Sequence, residues 1–92
     1  MSDTTSELFP IGQLQASPGV MEEFPHDVII SCLNRHENGD WGDLTEEDKQ
    51  ANNDALESGA RIFSSYNIRG DKIWIITDAE RETTTITLPS EY

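Results

Sequence analysis

The stretch ARIFSSYNIRGDKIWIIT, residues 60–77, decides the fold. After Gly59 the hydrophobic period changes to two, so one face of a strand collects Ile62, Ser64, Tyr66 and Ile68. The RGD triplet supplies a tight connection, and KIWIIT is β-branched and aromatic on both faces, as expected of a central strand with Trp74 in the core. A turn at DAERE then leads to TTTITLP, a third strand that ends before Pro89. The sequence therefore predicts an antiparallel β-meander of three strands.

Two main helices are predicted before this meander. A stripe of apolar residues at helical spacing follows Pro25, and Asn38-Gly39 ends that helix. The stripe consists of Val28, Ile29, Cys32, Leu33 and His36. Thr45 is the predicted N-cap of the second helix, which has three carboxylates in its first turn and ends at Gly59. Its apolar face is thin, comprising Leu44, Ala51, Ala55 and Leu56.

The N-terminal third contributes smaller elements. The segment FPIGQLQA, residues 9–16, alternates weakly and is compatible with a fourth strand at the sheet edge, with Phe9, Ile11 and Leu14 inward. Ser17 as N-cap and Pro18 at the first helical position predict a helix of one or two turns. The expected architecture is α+β, with two main helices packed on one face of the sheet. Residues 1–8 are expected to be a flexible terminus and residues 9–92 a single domain.

Charge limits the partners. The 92 residues carry 18 acidic and 6 basic side chains, a net charge of −12, which disfavours free nucleic acid and anionic membranes and favours a basic protein. Cys32 is the only cysteine, so no internal disulfide is expected. The sequence has no signal-like segment and no apolar run long enough to span a membrane. We therefore expect a cytoplasmic protein, a monomer or weak homodimer, that needs no cofactor.

The acidic segment is the strongest functional signal. Between Glu37 and Glu57 it has eight acids and one base, Lys49. Carboxylates one helical turn apart lie about 6 Å from each other, near the spacing of successive phosphates, so the segment is a candidate mimic of DNA. A solvated helix face remains the alternative. The candidate partner-binding residues are Asp40, Trp41, Asp43, Glu46, Glu47, Asp48, Asp54 and Glu57.

Trp41 lies between two Gly-Asp pairs and has two interpretations. Its ring either packs under the sheet, with the glycines allowing the bends, or forms an exposed aromatic anchor inside an acidic rim.

Catalysis and metal binding are weaker hypotheses. Oxygen and imidazole ligands from His36, Asp40 and Asp43 in a Gly-rich loop could hold a divalent cation and make a small metal-dependent enzyme, although the spacing is not that of a calcium loop. Ser64 and Ser65 lack a nucleophile-elbow motif and are expected to be strand residues. We expect a protein that is not an enzyme.

Two stretches, GDWGDLTEEDKQANNDALESGARIFSSY (residues 39–66) and KIWIITDAERETTTITLPSEY (residues 72–92), resemble a family of small acidic proteins carried on bacterial plasmids, prophages and mobile islands. Members of that family often bear names borrowed from restriction-modification enzymes. The resemblance implies a mobile-element context. Combined with the charge, it leads to the hypothesis of an anti-CRISPR or anti-restriction inhibitor that blocks DNA recognition; an antitoxin-like or accessory protein that neutralises a basic partner is the alternative.

Overall fold

The computed structural model describes residues 8–92, and its centre is a four-stranded mixed sheet. The strands are β1 (Gln13–Ala16), β2 (Ile62–Ile68), β3 (Asp71–Thr77) and β4 (Thr83–Thr87), in the spatial order β1-β4-β3-β2. The predicted meander is present, because β2 pairs antiparallel with β3 and β3 with β4. β1 joins the edge parallel to β4, so the sheet is mixed rather than purely antiparallel.

Three helices precede the meander: α1 (Pro18–Glu23), α2 (His26–Glu37) and α3 (Glu46–Ser58). The predicted caps are confirmed: the hydroxyl of Ser17 accepts from the backbone N–H of Val20 at 3.3 Å, and that of Thr45 from Asp48 at 3.1 Å. Gly59 ends α3 in the left-handed conformation, at φ 81°. A short 3-10 turn, Pro89–Glu91, closes the described chain.

The core lies between the helices and one face of the sheet, in two clusters. The larger cluster is formed by Val20, Phe24, Ile29, Cys32, Leu33, Tyr66, Ile73, Ile75 and Ile86. The smaller cluster contains Phe9, Trp41, Ala55 and Ile62. Burial raises the pKa of the Cys32 thiol, in keeping with an inert cysteine. The α+β architecture with helices packed on one face is thus confirmed.

Three predictions about individual side chains, at Leu14, Ala51 and Trp74, are wrong. Leu14 is 46% exposed rather than inward, because β1 is the edge strand and all four of its residues face solvent. Ala51 is exposed, and the buried residues of α3 are instead Asn52 and Ala55. Trp74 is only half-buried, because it lies on the sheet face opposite the core clusters, where its ring contacts Phe63 and Tyr92. The predicted flexible terminus, residues 1–8, falls almost wholly outside the described residues.

Candidate functional site

The outer edge of β2 is closed by the segment that connects α2 to α3 and by α3 itself. The Asn52 side chain donates to the carbonyl oxygen of Phe63 at 2.6 Å and accepts from the Phe63 N–H at 3.1 Å. The Ser65 N–H donates to the Trp41 carbonyl oxygen at 3.2 Å, and the Asp43 N–H donates to the Ser65 carbonyl oxygen at 2.6 Å. An amide side chain and a loop thus take the place of a neighbouring strand and protect the edge.

Asp40 and Asp43 hold this loop in place with their carboxylates. Asp43 accepts from the N–H of Asn67 at 2.9 Å. Asp40 accepts from the Arg35 guanidinium at 2.8 and 3.3 Å and from the Gly42 N–H at 3.2 Å. The hydrogen bond from Arg35 is the main reason that the pKa of Asp40 lies below its usual value. Both predicted partner-binding carboxylates therefore have structural bonds within the chain.

Trp41 is a core residue. Its side chain is 3% exposed, packs in the smaller cluster with Phe9, and donates its indole N–H to the Asn53 side-chain oxygen at 3.1 Å. Gly42 allows the bend beneath it: its φ is 79°, and a Cβ there would collide with the Ser65 carbonyl oxygen. The prediction of Trp41 as an exposed anchor is therefore wrong, because the ring fills the interior under the sheet.

His36 is fully buried, and both of its ring nitrogens are occupied. Nδ1 lies 2.6 Å from Ser64 Oγ, and Nε2 lies 2.9 Å from Thr77 Oγ1. Within residues 8–92 no group of three or more histidine, cysteine or carboxylate side chains is arranged to hold a metal ion. The metal-loop prediction from His36, Asp40 and Asp43 is therefore wrong, because the imidazole turns into the core while the two carboxylates bond to the loop.

The hydrogen-bond chain through His36 has one direction. Thr84 Oγ1 donates to the carbonyl oxygen of Ile11 at 2.7 Å, and a carbonyl can only accept. Thr84 must then accept from Thr77, 2.7 Å away, and Thr77 must accept from Nε2–H of His36. The neutral Nδ1 accepts the hydroxyl proton of Ser64. Burial first, and the charge of Arg81 next, lower the pKa of His36 from 6.5 to about 4.

A serine beside a neutral histidine is also the beginning of a nucleophile–base pair, and no motif in the sequence links these two residues, which are 28 positions apart. Ser64, His36 and Thr77 all have no solvent exposure. No substrate can reach Ser64 in this conformation, so the chain of hydrogen bonds serves to join α2 to the sheet.

Whereas the two loop carboxylates bond within the chain, most of the acidic side chains of α3 extend into solvent. We use the name acidic stripe for Glu46, Glu47, Asp54 and Glu57, all of which are exposed. Glu46, Gln50, Asp54 and Glu57 follow one another by four, four and three residues, so they lie along one face of the helix, with Glu47 on its flank. At about 1.5 Å per residue the stripe is about 16 Å long.

Cations of the chain neutralise little of this charge. The described residues form two ion pairs, Arg35 with Asp40 and Lys49 with Glu46. The second is long, at 3.8 Å, and the Glu46 side chain is 95% exposed. Arg81 is committed elsewhere: its guanidinium donates to the carbonyl oxygens of Ala55, Asp78 and Ala60, which closes the end of α3. The acidic stripe therefore faces solvent with its charge almost intact.

Asp48 lies apart from the stripe. Its exposed side chain lines a cleft between α3 and β2, next to Arg61 and Phe63. Of the eight predicted partner-binding residues, the four of the acidic stripe lie together along one side of α3, and Asp48 lies on another side of that helix. Asp40 and Asp43 form hydrogen bonds that hold the loop, and Trp41 is buried.

Within residues 8–92 no helix has both the length and the apolar character needed to cross a membrane. Comparisons of the chain with protein-family models, with curated proteins and with solved structures found no match.

Proposed function

We propose that this protein is a small acidic inhibitor whose acidic stripe occupies the cationic, nucleic-acid-binding surface of a bacterial defence complex and thereby blocks DNA recognition. One observation carries the proposal: α3 presents Glu46, Glu47, Asp54 and Glu57 on the outside of the molecule, and within residues 8–92 the acidic stripe forms one ion pair, a long one from Lys49 to Glu46. The defence complex as target, either a CRISPR surveillance complex or a restriction enzyme, comes from the family resemblance.

The physical logic is competition for the same cations. A DNA-binding groove gains affinity because its lysines and arginines replace the counterions of phosphates. Carboxylates on a rigid helix can pair with the same side chains at a smaller loss of entropy than a flexible acidic tail would incur. A single exposed ion pair contributes only about 0.2–1 kcal/mol, so the effect depends on several pairs forming together. The net charge of −12 also accelerates the encounter with a basic surface at low salt.

The role of Asp40 and Asp43 is narrower than the sequence suggested. Their oxygens bond to Arg35, Gly42 and Asn67. They add to the negative field beside α3, but direct pairing with a partner would compete with bonds that hold the loop. We therefore assign the contacts to the acidic stripe and a supporting electrostatic role to the loop.

A competition experiment tests the proposal. Binding to a purified CRISPR surveillance complex and to a purified restriction enzyme is measured with and without target DNA, for the unaltered protein and for the double variant Glu47→Lys/Asp54→Lys. We expect DNA and the protein to exclude each other, and the variant to bind at least tenfold more weakly at low salt, with a smaller difference at high salt.

The matched control is Glu22→Lys/Glu23→Lys, which changes the net charge equally on exposed positions of α1. It should retain most of the affinity if location matters as well as total charge. Simultaneous occupancy of either complex by DNA and by this protein would refute competition there, and binding that leaves DNA in place would favour an accessory protein instead.

A further inference from the structure

A cleft runs beside the acidic stripe, between α3 and the start of β2. Its volume is about 220 Å³, and its walls are Leu44, Asp48, Ala51 and Asn52 on the helix side and Arg61 and Phe63 on the strand side. Leu44, Ala51 and Phe63 make an apolar floor. An engineered apolar cavity of about 150 Å³ holds benzene, so a cleft of this size has room for one aromatic ring with a polar substituent.

Two opposite charges line the cleft without pairing to each other. Asp48 and Arg61 belong to neither of the ion pairs found in the described chain. The Asp48 carboxylate has no hydrogen-bond partner among the described residues. Arg61 donates from one nitrogen, Nη1, to the Tyr92 hydroxyl at 2.9 Å, and its other N–H groups remain available. The Asn52 amide is already occupied by the backbone of Phe63.

We propose that this cleft receives the phenolic side chain of a tyrosine from the protein that the acidic stripe binds; this inference rests on the proposed function. The ring lies on Leu44, Ala51 and Phe63. The hydroxyl accepts from Arg61 and donates to Asp48, so it satisfies both charges as the partner covers them. The acidic stripe attracts the partner and speeds association, and the tyrosine in the cleft fixes how the two proteins are positioned against each other.

Other side chains fit the lining less well. A phenylalanine would bury Asp48 and Arg61 without offering either a hydrogen bond, which costs free energy for each group. An arginine would pair with Asp48 but repel Arg61. The burial of Trp41 adds a second argument, because its indole is enclosed within this protein and is not available as an anchor at the interface.

The chemistry of the cleft can be tested without the partner. The isotope-labelled protein is titrated with 4-methylphenol, toluene and n-propylguanidinium while backbone amide resonances are recorded by NMR. We expect 4-methylphenol at millimolar concentration to shift the amides of Ala51, Asn52 and Phe63, and toluene and n-propylguanidinium to bind at least fivefold more weakly. Absence of saturable shifts with 4-methylphenol, or equal binding of toluene, would overturn the inference.

A blocking variant links the cleft to the partner. Ala51→Phe fills the cleft from an exposed helical position and leaves every carboxylate in place, and Ser58→Phe adds the same ring at an exposed position of α3 outside the cleft. Equal melting temperatures of the two variants establish that both fold. We expect only Ala51→Phe to lose the 4-methylphenol shifts and to bind the defence complex at least tenfold more weakly, with an unchanged dependence of affinity on salt.

The failures of the two proposals are distinguishable. If Ala51→Phe and Ser58→Phe bind the complex equally while Glu47→Lys/Asp54→Lys does not bind, the tyrosine anchor is wrong and the inhibitor proposal stands. If 4-methylphenol binds but Ala51→Phe leaves partner affinity unchanged, the cleft takes a free phenol and the partner assignment is overturned. If none of the variants affects the complex because the protein does not compete with DNA, the proposed function itself fails.

Discussion

Acidification should destabilise the fold through the buried imidazole of His36. In the unfolded chain the imidazole takes up a proton as the pH falls through about 6.5, whereas the folded protein resists protonation until about pH 4. The low pKa therefore contributes stability that is complete above pH 6.5 and is lost as the pH falls from 6.5 to about 4. The physical reason is that a charged imidazole in the core would lose its hydration and would have to donate from Nδ1 to Ser64.

The magnitude follows from the two pKa values. The difference of about 2.5 pH units corresponds to at most about 3–4 kcal/mol of unfolding free energy, at about 1.36 kcal/mol per pH unit. Between pH 7 and pH 5 the linkage relation gives a loss of about 2 kcal/mol. That is a large part of the stability of a domain of this size, which is typically about 5–10 kcal/mol.

Urea unfolding at several pH values, followed by tryptophan fluorescence, measures this loss. His36→Gln is the matched control, because glutamine keeps one donor and one acceptor at the site but does not titrate. The two proteins differ at no other side chain, so the difference between the two pH profiles isolates His36. If the unaltered protein and His36→Gln lose the same free energy between pH 7 and pH 5, the assignment of a neutral, buried His36 is refuted.

Three further outcomes are expected. Asn52→Ala should lower the free energy of unfolding by about 2–3 kcal/mol, because it leaves the N–H and carbonyl groups of Phe63 unpaired at a buried edge; urea unfolding against Asn52→Asp, which keeps only the acceptor, separates the two bonds. Gly42→Ala should lower the melting temperature by at least 5 °C, because the new Cβ meets the Ser65 carbonyl oxygen and φ is positive; an unchanged melting temperature would show that the loop can move away. Glu57→Lys should stabilise the isolated protein by about 0.3–1 kcal/mol at low salt, because it replaces an anion with a cation in the last turn of α3; a lower melting temperature would contradict this.

The helix ends and the hairpin between β2 and β3 could be predicted from the sequence, because the interactions that set them join residues only a few positions apart. Ser17, Thr45 and Gly59 mark the ends of helices because caps act over three or four residues. The hairpin between β2 and β3 was visible as a tight connection, and Arg69 and Gly70 both have the positive φ that such a two-residue turn requires.

Contacts between distant residues could not be predicted in this way. The parallel pairing of β1 with β4 joins Leu14 to Thr84 across most of the chain, and no periodicity reveals that register. It also makes β4 an internal strand, between β1 and β3. His36 was assigned correctly to the apolar stripe, but its bonds to Ser64 and Thr77 span 28 and 41 residues.

Two further features of the sequence, at position 52 and around Trp41, take their meaning from contacts in the fold. An asparagine on the inner side of α3, at position 52, is an unusual choice for a helix face with few apolar residues, and its purpose becomes clear only once β2 is known to need a partner. Gly39 and Gly42, which flank the Asp40-Trp41 pair, permit the sharp bends that turn the indole inward. They therefore support the buried interpretation of Trp41, one of the two that the sequence offers.

Some acidic residues of this chain stabilise the fold and others do not, and the second group is the one relevant to the proposed function. Asp40 and Asp43 accept hydrogen bonds from other parts of the chain, and Glu46 and Glu47 lie in the first helical turn, where the dipole stabilises them. Glu57 gains neither benefit, because it lies in the last turn of α3, where a negative charge opposes the dipole. Arg81 bonds to that end of the helix, but it donates to backbone carbonyl oxygens rather than to the Glu57 carboxylate. A helix face that served only to be hydrated could carry a lysine there at lower energy. The proposed inhibitor function would account for an acid at this position, because several ion pairs with a cationic groove would together exceed the small loss in stability.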